Sequence, residues 1–118
     1  MIRRGATGRI VAEFSFINVT HHECRLFGYP GASAFAATGA RIRLHVSPDA
    51  LRPDHRVVLA PRRGARFLFQ TWDRAAGGPC HTSAILRFIP PGDSGYEQIR
   101  HRQLMCRGLA TVTAVGVT

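Results

Sequence analysis

Arg41-Ile42-Arg43-Leu44-His45-Val46 alternates without a fault, with Ile42, Leu44 and Val46 at one set of positions and Arg41, Arg43 and His45 at the other. Successive side chains of an extended chain point to opposite faces, so this pattern predicts a strand with one buried face and one wet face. The same period of two recurs along the chain. Over residues 9–18, Ile10, Ala12, Phe14 and Phe16 share a face against Glu13 and Ser15. Over residues 65–72, Ala65, Phe67 and Phe69 point inward and the run ends at Trp72. Residues 84–89 and 108–117 form two further β-rich stretches, and shorter ones are expected at 24–27, 33–36 and 56–60.

Glycine and proline punctuate these runs roughly every 8–12 residues, which is the rhythm of an antiparallel β-sandwich. Gly28-Tyr29-Pro30-Gly31 predicts a type II turn, because proline presets the first central φ and glycine accepts a positive second one. Ala60-Pro61-Arg62-Arg63-Gly64 joins two strands, and Pro90-Pro91-Gly92-Asp93-Ser94-Gly95 closes another. No segment holds a 3.6-residue apolar period over ten residues with a credible cap, so helix should be confined to one short turn near 47–54. A chain of 118 residues without repeats or linkers reads as one domain, residues 1–118. The expectation is therefore an all-β, immunoglobulin-like antiparallel sandwich of about 7–8 strands.

The net charge is +9, and all 16 basic residues are arginine. Alanine, glycine, proline and arginine have GC-rich codons, so genome composition accounts for part of this basicity. The arginines are scattered from Arg3 to Arg107 with no run longer than two. A dedicated nucleic-acid surface more often shows a concentrated patch or motif, so a nucleic-acid partner is disfavoured. No run of about 18 apolar residues exists to span a membrane. Met1-Ile2-Arg3-Arg4 offers the basic start of an export signal, but Gly5-Ala6-Thr7-Gly8 and then Glu13 interrupt the apolar stretch that should follow. On that reading the chain is either cytoplasmic or a piece of something longer.

In order, the pieces resemble a known pattern. A strand ends in the corner Phe16-Ile17-Asn18-Val19-Thr20 and leads to Cys24-Arg25-Leu26-Phe27-Gly28-Tyr29-Pro30-Gly31. Val57-Val58-Leu59-Ala60-Pro61 precedes Gly64-Ala65-Arg66-Phe67 and Trp72. Cys80, the strand end Ile89-Pro90-Pro91-Gly92, and Cys106-Arg107-Gly108-Leu109 complete it. Over residues 9–117 the chain resembles the DUF4232 family, domains of unknown function found mostly in secreted proteins and lipoproteins of high-GC Gram-positive bacteria. The resemblance implies an immunoglobulin-like sandwich outside the cytoplasm, in the secreted or cell-envelope compartment, and implies no activity. Members open with an extra strand carrying a further cysteine, and this chain, with three cysteines, is expected to lack that first strand. The resemblance further implies a Cys80–Cys106 disulfide, with Cys24 left unpaired because its partner lies in the missing strand.

Several groupings invite a chemical reading. His21-His22-Glu23-Cys24 and Cys80-His81 cluster metal-binding side chains, but neither has the spaced pairs with which zinc sites converge four ligands, and no metal is expected. No CxxC or activating partner accompanies the cysteines, so redox chemistry is not expected either. Gly92-Asp93-Ser94-Gly95 matches the nucleophile segment of chymotrypsin-like proteases. That chemistry needs a histidine base and an oxyanion hole on a scaffold about twice this length, and the local reading is a turn. Asn18-Val19-Thr20 fits an N-glycosylation acceptor and is read as a turn between strands.

Most aromatic residues fall on alternating strand positions and belong to the core. Tyr29 and Tyr96 sit in turns, and with nearby arginines they are the candidate contact loops. The sequence therefore predicts no catalytic residue, cofactor or metal. It predicts a non-enzymatic extracytoplasmic interaction or structural domain, whose partner is an envelope protein or polymer. The alternative is a basic module that binds polyanions, whether nucleic acid or an anionic wall polymer.

Overall fold

A computed structural model describes residues 2–4, 8–49, 56–92 and 95–116. Thirteen strands follow one another among them. They are β1 (Ile2–Arg4), β2 (Arg9–Ile17), β3 (Cys24–Leu26), β4 (Gly31–Phe35), β5 (Arg41–Ile42), β6 (His45–Pro48), β7 (Val57–Leu59), β8 (Gly64–Trp72), β9 (Cys80–Thr82), β10 (Ile85–Ile89), β11 (Glu97–Arg100), β12 (Leu104–Cys106) and β13 (Leu109–Val112). One layer is a five-stranded sheet in the order β1-β2-β8-β13-β6, and the other is a four-stranded sheet in the order β11-β10-β4-β5. The short ladders β12-β9 and β3-β7 complete the all-β, sandwich-like fold.

The two longest strands, β2 and β8, pair antiparallel over nine residues from Arg9↔Trp72 to Ile17↔Gly64. Their even- and odd-numbered apolar positions meet on one face, as the alternation requires. Ile10, Ala12, Phe16, Ala65, Phe67 and Phe69 are all buried. Leu86 and Phe88 of β10 are buried opposite them. Phe88 binds the two layers, with its ring centroid 4.9 Å from Phe67, 5.5 Å from Phe69 and 4.9 Å from Phe14. Such edge-on and tilted pairs add about 0.5–1.5 kcal/mol each beyond the area they bury.

The stretch 41–46 keeps its predicted faces, with Ile42 buried and Arg41, Arg43 and His45 exposed. It is not one strand in one sheet, however. Arg41 and Ile42 pair with β4 in the four-stranded layer, while residues from His45 onward pair with β13 in the five-stranded layer. The chain thus crosses between layers at Arg43 and Leu44, which raises the number of segments above the expected seven or eight. The β6–β13 ladder is parallel, Leu109↔His45 to Val112↔Pro48, in an otherwise antiparallel fold. Pro48 is tolerated because β6 is an edge strand whose outer side needs no donor. The crossing closes the sandwich along the β5/β6 side. At the other side, β1 and β2 end one layer and β11 ends the other, with no strand joining them among the described residues.

Three local expectations are corrected. Residues 47 and 48 are strand, not a helical turn, and residues 50–55 lie outside the described residues. The short 3-10 turn falls at Arg74–Ala76, where Asp73 Oδ1 accepts the Ala75 amide hydrogen at 2.9 Å. The positive φ predicted for Gly31 occurs at Gly28 (φ 111). Gly31 is extended because it opens β4 opposite Ile89, while the Gly28 carbonyl accepts from the Val115 amide at 3.1 Å. The strand β1, which pairs Ile2↔Ala12 to Arg4↔Ile10, was not expected from the sequence.

Candidate functional site: a side cleft and an arginine-aromatic sheet face

The corner after β2 is built by Asn18. Its amide nitrogen donates to the carbonyls of His22 (2.7 Å) and Leu59 (3.0 Å), and its Oδ1 accepts from the Thr20 amide (3.0 Å) and hydroxyl (2.7 Å). Asn18 is only 5% exposed. Both amide hydrogens are engaged by the fold, which agrees with a structural corner rather than a glycan acceptor. Opposite it, Arg62 (φ 71) takes a left-handed conformation in the turn closed by the Arg63 amide on the Ala60 carbonyl at 3.1 Å. The Arg62 amide then donates to the Asn18 carbonyl and the Asn18 amide to the Arg63 carbonyl, both at 2.8 Å. Two residues facing one in this way form a β-bulge whose first position usually holds glycine.

Cys80 and Cys106 are joined by a disulfide. They face each other directly across β9 and β12, next to the pair in which the Arg107 amide donates to the Pro79 carbonyl. Alternate pairs of an antiparallel ladder lack mutual hydrogen bonds and bring their side chains closer, so the cysteines occupy the position suited to a cross-strand bridge. Cys24 is free and half-buried on β3, opposite Leu59, with its sulfur 3.8 Å from Thr20 Oγ1.

That thiol lines an open cleft of about 490 Å³ together with Phe14, Phe16, Leu26, Phe88 and Ile99. The cleft runs along the unclosed side of the sandwich, between β2 and β11. β1 pairs with β2 only as far as Ala12, so beyond it the outer edge of β2 has no strand partner among the described residues. Glu97 is the one charged residue in the lining.

The outer face of the four-stranded sheet is more polar. Register sets Arg41, Phe35, Ile85 and Arg100 in one row across its four strands. Ser33, Arg87 and Gln98 form the next row. Tyr96, one residue before β11, lies at the level of Ile89. The Arg87 guanidinium carbon lies 4.5 Å from the ring centroids of both Phe35 and Tyr96, and its Nε donates to Gln98 Oε1 at 2.8 Å. Arg41 covers the same Phe35 at 5.9 Å. None of Arg41, Arg87 and Arg100 is ion-paired with a described carboxylate.

The two tyrosines named from the sequence lie at the same end of this sheet but have different surroundings. Tyr96 is 54% exposed, whereas Tyr29 is half-buried and packs against the core. The sequence reading missed the arginine face because its members lie on four separate strands. The available signal was Phe35 and Arg87, which alternate with the core-facing Ala34, Leu86 and Phe88. His21 and His22 are exposed in the corner, and no group of three or more potential metal ligands comes together among the described residues. Asp93 and Ser94, the centre of the protease-like segment, lie outside the described residues. Gly92 (φ 80) before them belongs to the turn that joins β10 to β11.

These features define a disulfide-bridged, all-β domain of two stacked sheets. The chain belongs to the DUF4232 family, Domain of unknown function, whose model matches residues 2–118. No curated protein and no solved structure matches it. Among the described residues, no helix is long and apolar enough to cross a membrane.

Proposed function

We propose that this is a non-enzymatic domain of the cell envelope or secreted compartment that acts by binding, with the outer face of the four-stranded sheet as its contact surface. The observation that carries the reading is the Phe35–Arg87–Tyr96 stack, which leaves a large aromatic and an arginine on one open face. Arginine and tyrosine are the residue types enriched where binding energy concentrates. The buried polar side chains support the non-enzymatic part. Asn18, Thr71, Ser83 and Gln103 make hydrogen bonds that hold strands and corners together. The Cys80–Cys106 bridge is compatible with an oxidising compartment, where such bonds persist.

The test is co-sedimentation of the purified, oxidised protein with washed envelope fractions of the producing organism. The native chain should pellet with the envelopes, and a Tyr96→Ala/Ile89→Ser variant should stay in solution with an unchanged circular dichroism spectrum. Native protein left in the supernatant would count against the reading, as would a variant that pellets equally well.

A further inference from the structure

We infer that the outer face of the β11-β10-β4-β5 sheet binds a linear polyol-phosphate polymer, held by Arg41, Arg87 and Arg100. This rests on the binding-domain reading above and names the chemistry of its partner.

Charge complementarity is the first argument. The three guanidinium groups share a face on which no described residue is a carboxylate, because Glu97 alternates to the cleft side. Guanidinium is a planar fork that matches phosphate oxygens in pairs and is held with less loss of freedom when stacked on rings. Arg87 is fixed in this way. Two rings at 4.5 Å and the Gln98 bond to Nε orient it, and its terminal Nη atoms have no hydrogen-bond acceptor among the described residues. Arg41 and Arg100 stand at the two ends of one row, about 14 Å apart at the usual strand spacing of ~4.8 Å. A chain of repeating phosphates laid across the four strands meets all three.

The aromatic rings argue against a nucleic acid as the occupant. Single-stranded nucleic acids are held by bases stacking on free aromatic faces. Here Phe35 is covered by Arg87 and Arg41, and one face of Tyr96 is taken by Arg87. The rings therefore position cations, and a polymer with no base to stack fits that arrangement.

The experiment measures binding of a fluorescent glycerol-phosphate hexamer to the full chain by anisotropy, beside a hexadeoxynucleotide and hexaglutamate. The glycerol-phosphate hexamer should bind most tightly, and its affinity should fall between about 50 and 200 mM salt as counterion release requires. Arg41→Gln/Arg100→Gln should weaken it about tenfold and flatten the salt dependence, by removing phosphate contacts. Arg63→Gln/Arg74→Gln, which removes the same charge from exposed turns elsewhere, should change it less than about twofold if contact and not diffuse charge holds the polymer. Equal weakening by both double variants would overturn the assignment to this face. Tighter binding of the hexadeoxynucleotide or of hexaglutamate would overturn the choice of partner. Envelope co-sedimentation that persists while the glycerol-phosphate hexamer fails to bind would sink this inference and leave the binding-domain reading standing.

Discussion

Gln103 donates its side-chain amide to Thr71 Oγ1 over 2.8 Å, and both residues are buried between β8 and the segment leading into β12. The Thr71 hydroxyl passes its own hydrogen to the Leu104 carbonyl at 2.8 Å, and the Gln103 amide donates to Ser83 Oγ at 3.1 Å. Thr71→Val keeps the shape but leaves a buried donor and a buried acceptor unpaired. It should lower the unfolding free energy by about 1–3 kcal/mol, read as a lower denaturant midpoint at unchanged slope. A neutral result would show that water reaches this network.

The cysteines make a chemical prediction. Under non-reducing conditions, iodoacetamide should add one group to the unfolded chain, at Cys24, and three after reduction. The bridge spans a sequence separation of 26. Cys80→Ser/Cys106→Ser should cost about 3–4 kcal/mol on the chain-entropy relation, measured by denaturant unfolding. Three modified cysteines without reduction, in protein made in an oxidising compartment, would refute the pairing.

Two positive-φ positions should respond with opposite signs. Arg62 holds a left-handed conformation that costs an L-residue about 1–2 kcal/mol, so Arg62→Gly should raise stability by up to about 1 kcal/mol after the added freedom of the unfolded chain is offset. Gly78 (φ 74) has the Arg107 Cα only 3.1 Å from where a Cβ would stand. Gly78→Ala should therefore lower the melting temperature.

Asn18→Asp tests the corner. The amide's two donated bonds become a carboxylate facing the His22 and Leu59 carbonyls. A loss of about 2–4 kcal/mol is expected, from two lost bonds and a buried charge without a partner. Exchange of the Thr20 amide, which donates to Asn18 Oδ1, should quicken along with that of its neighbours if the whole corner loosens.

The strands that alternate over many residues were legible in the sequence. β2 and β8 have long runs in which one face is apolar, and a one-residue slip would expose all of it. The all-β class follows from the same outline, whereas the Cys80–Cys106 pairing was implied by the family resemblance and not by the alternation. What escaped depends on contacts distant in sequence. β11 is exposed along its whole length, so Glu97-Gln98-Ile99-Arg100 carries no alternation to read. The crossing at Arg43 and Leu44 preserves the inside–outside pattern, and periodicity alone gives no sign that the partner strand changes. Gly31 looked like a turn residue until its pairing with Ile89 required an extended backbone. The arginine face arises only when four strands are set in register.

The passage of residues 41–48 from one layer to the other makes the domain mechanically lopsided. A covalent hinge runs down one flank, where the sheets cannot separate without tearing β5 from β4 or β6 from β13. The opposite flank, with Phe14, Cys24 and Ile99 along its seam, has no strand ladder between the layers among the described residues; beyond side-chain packing it is pinned by the Gln103 side-chain amide on the Ile10 carbonyl at 3.4 Å. Thermal breathing should therefore open the molecule like a clam on that side, and Cys24 should report each opening long before the chain as a whole unfolds.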